Sequence, residues 1–243
     1  MDKVNLSFID FQSSIREVDK MNPDRKHWNQ QQQALRLALS RHSDHHTTIE
    51  LFLNQHAMVH SAMMTNSGLW SFEDEIWQDL TEDAARCIPR NGEHSIAWLI
   101  WHIARIEDVT MNLLVAGSQQ LLNRDRWLER MQITVRDTGN AMNMEGVAYL
   151  SATIDLPALR AYRMAVGSRT REIVQQLGPE DMKRKVEQTR LQQVIEEGAV
   201  IKAGREVIEY WGGLTIAGLL LMPPTRHNFI HLNEALRIKP HVM

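Results

Sequence analysis

One cysteine, Cys87, is all the chain has among 243 residues. No disulfide can form within it, and a reducing compartment is the expectation. No basic-then-apolar segment opens the sequence, so no secretory signal is read there. Long apolar runs are also lacking. The two longest, Ile96–Ile106 and Leu214–Pro224, are broken by His102, Arg105 and Gly218 and are too short to cross a bilayer. A net charge of −3 and a pI of about 6.4 give no reason to expect a nucleic acid or another polyanion as partner. The one basic run, Met182-Lys183-Arg184-Lys185, is flanked by Glu180, Asp181 and Glu187 and reads as a solvated helix face. Together these absences predict a cytoplasmic protein without membrane or nucleic-acid contacts.

Tandem repeats and alternating strand patterns of useful length are missing too, which leaves an all-α class. Residues 1–44 read as an N-terminal appendage with one short helix after a loose leader, and 45–239 as the core of a single domain spanning 1–243. A helix is expected from Asp44 or Thr47 to about Met64, closed by Thr65-Asn66-Ser67-Gly68, and a short one over Leu69–Leu80. Asn91-Gly92-Glu93-His94 reads as a loop, and Ser95 as the N-cap of an almost wholly apolar, hence central, helix that runs to about Val115. Residues 121–149 are the least regular, with a turn at Asp137-Thr138-Gly139-Asn140. A connection of that length shapes a binding region or covers a core. Asp155 caps a helix with Pro157 in its first turn, ended by Gly178-Pro179. Glu180–Glu197 reads as a further helix or hairpin. The last core helix starts near Leu214–Ala217 and meets Pro223-Pro224, which must kink or restart it.

Two histidine pairs stand at i and i+4, His227/His231 and His56/His60. Imidazoles one turn apart on a helix can share a divalent ion. Periodicity does not rank the pairs. His102 on the central helix is a candidate third ligand, or a hydrogen-bonded core histidine. Trp98 and Trp101 read as packing residues, Arg105 and Glu107 as surface ion pairs, and Cys87 as a loop thiol without a catalytic role.

The segment Ser95–Glu107, with Trp98, Trp101 and His102, resembles the second core helix of the DinB-like metalloprotein superfamily. The segment from Trp211 to Ile238, with His227-Asn228-Phe229-Ile230-His231, is similar to that family's fourth. The resemblance implies a four-helix bundle, here with an additional N-terminal helix and a helical or irregular insertion between the second and third core helices. It also implies a metal site made of His102, His227 and His231, leaving out His56 and His60. Zinc is the expected ion, with nickel, iron and manganese open. Where common members continue the second metal histidine as His-x-Gly-Gln, this chain has Asn233 and Glu234. Glu234, one turn beyond His231, is the candidate to orient an imidazole or act as a base. Family activities imply a transferase using an external low-molecular-weight thiol, or a hydrolase using water; the alternative is a metal-binding helical bundle without catalysis. A small-molecule substrate is the expected partner, with homodimerisation plausible.

Overall fold

A computed structural model of the chain describes residues 23–41, 44–65, 70–89 and 94–243. The leader before Pro23, the turn Asn66-Ser67-Gly68 and the loop Asn91-Gly92-Glu93 lie outside the described residues. In chain order come α1 (Pro23–Arg41), α2 (His45–Ala57), α3 (Ala62–Thr65), α4 (Phe72–Trp77), α5 (Glu82–Arg86) and α6 (Ile96–Asp108). Then follow α7 (Leu121–Arg124), α8 (Trp127–Arg130), α9 (Met144–Thr153), α10 (Leu156–Gln176), α11 (Gln188–Glu196), α12 (Glu206–Gly213), α13 (Ile216–Leu221) and α14 (Asn228–Val242). The described residues form no strand, only an isolated antiparallel bridge between Lys185 and Thr215. None of the helices is long and apolar enough to cross a membrane.

The centre is α6, every residue of which is buried. Ser95 caps it by accepting a hydrogen bond from Trp98 N at 3.0 Å. Beyond Asp108 it continues as a π-helical stretch, Val109–Ala116, that ends at Gly117 with φ of 63°. The helix passes through two apolar cores. Ile96–Ala104 packs with Trp28, Phe72, Leu159, Phe229 and Leu232, whereas Ile106–Val115 packs with Leu35, Phe52, Ile173, Trp211 and Leu219. Fully burying side chains of this size stabilises by about 2 kcal/mol each, as an upper figure.

A polar band, His102, Arg105, Glu107 and Asp108, lies where the cores meet, and all four are buried. This corrects the surface placement expected for Arg105 and Glu107. A helix enclosed on every side has no solvent face, so its charges need interior partners. Arg105 donates to Asp108 Oδ2 at 3.1 Å, Tyr162 Oη at 2.9 Å and Gln120 Oε1 at 2.7 Å.

Three other boundaries shift. The helix after Asp44 stops at Ala57 and not near Met64, because Asp74 draws the chain aside: its carboxylate accepts from Ser61 Oγ at 2.7 Å and Ala62 N at 2.8 Å. The segment from Leu69 to Leu80 keeps helix only over Phe72–Trp77, capped by Ser71. Leu214-Thr215 separates α12 from α13, so Trp211 stands on a helix of its own before the last long one begins.

Pro223 and Pro224 have no N–H to give, so the last long helix widens into a π segment, Met222–His227, before resuming as α14. Side chains also bond the carbonyls at this turn. Leu220 O accepts from Thr225 Oγ1 at 2.9 Å, and Leu221 O from Gln32 Nε2 at 2.9 Å. Helix α1 is thereby fastened to the turn that delivers His227.

Candidate metal centre

His102 sits in the second turn of α6, where the ring stacks on Trp98 with centroids 4.8 Å apart and planes at 10°. Its Nδ1–H donates to Thr138 O at 2.5 Å, which leaves Nε2 as the lone-pair nitrogen. That carbonyl belongs to the expected turn at 137–140. The turn is held by Gly139 N donating to Asp137 Oδ1 at 2.7 Å and Thr138 N donating to Ala199 O at 2.9 Å. Gly139 adopts φ of 80°, and a Cβ there would come within 2.7 Å of Trp101 Cζ3. Only glycine combines that conformation with such close indole packing. The irregular connection therefore shapes the site, as its length suggested.

His227 ends the π segment and His231 follows one helical turn later. Ring centroids lie 5.1 Å apart for His102–His227 and for His102–His231, and 4.6 Å apart for His227–His231. One candidate ligand atom from each residue falls within 4.8 Å of the others. His231 Nδ1–H donates to Glu234 Oε2 at 2.8 Å, again directing Nε2 away from its partner. Burial and the bond from His231 act oppositely on Glu234, and the bond prevails, keeping its carboxyl below the usual range. Burial, aided by His231, pushes His102 down to about 3, and burial with both neighbouring imidazoles holds His227 well below its ordinary value. Both rings are thus neutral, the form that ligates. His227 Nδ1 is buried and has no hydrogen-bond partner among the described residues. Three imidazoles, two of them fixed in tautomer by a carbonyl and a carboxylate, suit a divalent ion.

His56 and His60 converge elsewhere, on Glu107. His56 Nε2–H donates to Glu107 Oε1 at 2.9 Å and His60 Nε2–H to Glu107 Oε2 at 3.0 Å. The same Oε2 accepts from Arg163 Nη1 at 3.2 Å and Asn228 Nδ2 at 2.6 Å. Arg163 Nε also meets Glu73 Oε2 at 3.1 Å. By composition this group could hold an ion, but its Nε2 protons and carboxylate oxygens are committed to each other, and a guanidinium lies against it. Glu107, Asn228, Arg163 and Glu73 were not singled out from the sequence as one group. The available signal was a carboxylate on a helix apolar all round, which cannot reach water.

A cavity of about 980 Å³ opens on the triad. It is walled by α1, α6, α12, the π segment, α14 and the turn at Gly139-Asn140. Trp98 lines it, so the residue read as packing also borders the site. Cys87 is exposed and does not line it.

Fold and site together define an all-α protein with a three-imidazole cluster beside a large cavity. A profile described as the DinB superfamily matches residues 73–217, more than half of the chain, and the chain belongs to that superfamily. The match contains His102 and ends before His227 and His231. No curated protein matches the chain.

Proposed function

We propose that this chain is a divalent-metal-dependent enzyme of the cytoplasm, which transfers or adds an external low-molecular-weight thiol at His102, His227 and His231. The observation that carries this reading is the cavity of about 980 Å³ that borders all three imidazoles. A structural ion is closed off by its ligands, whereas a catalytic ion keeps positions open to small molecules. When bound, a divalent ion supplies Lewis acidity, lowering the pKa of a thiol or water that joins it. The three imidazoles hold the ion. The Thr138 carbonyl fixes the ring of His102, and Glu234 fixes that of His231. Glu234 is committed to that bond, and among the described residues no carboxylate lines the cavity, so these residues bring no independent carboxylate base to the thiol proton. With Cys87 outside the cavity, the thiol comes from solution.

The test is metal analysis of untagged protein together with turnover of a chlorodinitrobenzene electrophile with and without small thiols. The expected result is about one ion per chain and thiol-dependent turnover that His102→Ala abolishes while circular dichroism is retained. Metal-free protein would overturn the reading. Metal-dependent ester hydrolysis without any thiol dependence would replace thiol chemistry with water activation.

A further inference from the structure

The charged residues that line the cavity are of one sign. Of the described residues that line it, none is Asp or Glu, while two are arginines, Arg36 and Arg226. Arg226 is engaged: its Nη1 donates to Asn29 Oδ1 at 2.7 Å and its guanidinium lies 5.7 Å from the Trp28 ring centroid. Arg36 differs. It stands one turn beyond Gln32 on α1, lines the cavity and is exposed, and it makes no hydrogen bond or ion pair with any described residue. Tyr210 on α12 lines the same cavity at 45% exposure, and its hydroxyl also has no partner among the described residues. Trp98 and Trp211 line the same cavity, with Asn29, Gln32, Gln33 and Asn140 among its polar residues. A cavity with cationic groups and no anion concentrates negative ligands, and a guanidinium is matched in shape and charge by a carboxylate.

We propose that Arg36, with the Tyr210 hydroxyl, forms a carboxylate subsite that selects organic acids, the acid group held on α1 and the reacting end reaching the histidine cluster. The proposal rests on the thiol reading for the reacting end and makes the co-substrate an acid-bearing thiol, in preference to a neutral one. It also gives α1, which lies outside the matched family residues, a role in specificity.

The experiment is calorimetric titration of the full chain, metal-free and zinc-loaded, with two acid–amide pairs. N-acetylcysteine against its carboxamide carries the thiol; 3-phenylpropionate against 3-phenylpropionamide does not. In each pair the acid binds at least about tenfold tighter than the amide, the scale of one charge-assisted contact. Arg36→Gln brings both ratios close to one without weakening the amides, and Arg36→Lys keeps part of the preference. Equal binding of acid and amide, no binding of any probe, or a preference that survives Arg36→Gln overturns the subsite. The last result would show that the acid sits on the ion itself. S-methyl-N-acetylcysteine separates the two readings. If it binds zinc-loaded protein as well as the free thiol does while the acid preference persists, the thiol reading fails and the subsite stands.

Discussion

Asn228 Nδ2 donates to Glu107 Oε2 at 2.6 Å, and that bond joins the helix of His102 to the helix of His227 one residue away from that imidazole. Glu107 also carries His56, His60 and Arg163. The layer beneath the imidazoles is therefore a single buried knot spanning four helices. Its positional role gives the first prediction. Glu107→Ala leaves Arg163 and two imidazoles buried with broken partnerships, and should cost about 3–5 kcal/mol, the scale for breaking a buried ion pair. Urea unfolding at neutral pH measures it; a loss below about 1 kcal/mol would mean that the knot relaxes around the gap.

The same knot sets an acid dependence. Burial pushes His60 from 6.5 down to about 3 and also lowers His56, despite the adjacent Glu107 carboxylate. A histidine whose folded pKa is depressed is protonated first in the unfolded chain. The stability it lends is present above 6.5 and is lost as pH falls toward its folded value. Burial alone would raise Glu107, but His60 and His56 hold it well below 4.5, so its share is lost only below that value. Burial, opposed by Arg163, raises Glu73, whose share has the other sign: present below 4.5 and lost as pH rises through its folded pKa. The net expectation is a fall in unfolding free energy from pH 6.5 downward, at up to about 1.4 kcal/mol per pH unit for each titrating histidine. Denaturant midpoints at pH 7.5, 6 and 5 follow it, and a flat profile from 7.5 to 5 would refute it.

Metal content should separate the two histidine groups. His227→Ala and His231→Ala are expected to emerge from gel filtration without the ion, while His56→Gln keeps it and loses stability instead. Elemental analysis beside thermal melts reads both effects. Loss of metal in His56→Gln with an unchanged melt would move the site to Glu107.

Much of this architecture is visible in the residues themselves. The caps Asp44, Ser95 and Asp155, the buried run after Ser95 and the prolines at 223–224 each act locally, through side-chain oxygens or a missing N–H, so they can be read in one dimension. The knot cannot. Glu107, Arg163 and Asn228 lie on separate helices and meet only once those helices pack, and a charged residue on a helix surface looks alike whether it meets water or a guanidinium. The early end of α2 has the same origin, since the carboxylate that bends the chain, Asp74, arrives from beyond a turn.

Glu234 is expected to act through His231. Glu234→Gln keeps the shape but weakens the acceptor for Nδ1–H, and metal affinity should drop by about 10–100-fold. Competition against a chromophoric chelator gives the number. Unchanged affinity would leave Glu234 as a half-buried carboxylate with no part in holding the ion.

Gly139→Ala asks an L-residue to hold φ of 80° with its Cβ 2.7 Å from Trp101. The strain should lower stability by about 1–3 kcal/mol and shift the carbonyl that orients His102. Thermal unfolding with and without added zinc tests this. The stabilisation by zinc should shrink together with the melt.

The bond from Gln32 to the Leu221 carbonyl bears on anyone who wants a smaller version of this protein. Trimming to the matched stretch 73–217 would discard both imidazoles of the last helix, and restoring the C-terminal part alone would still leave the proline turn without its tether and the cavity without one side. A fragment that keeps that tether and that side of the cavity must begin upstream of Trp28, far outside what family borders would advise.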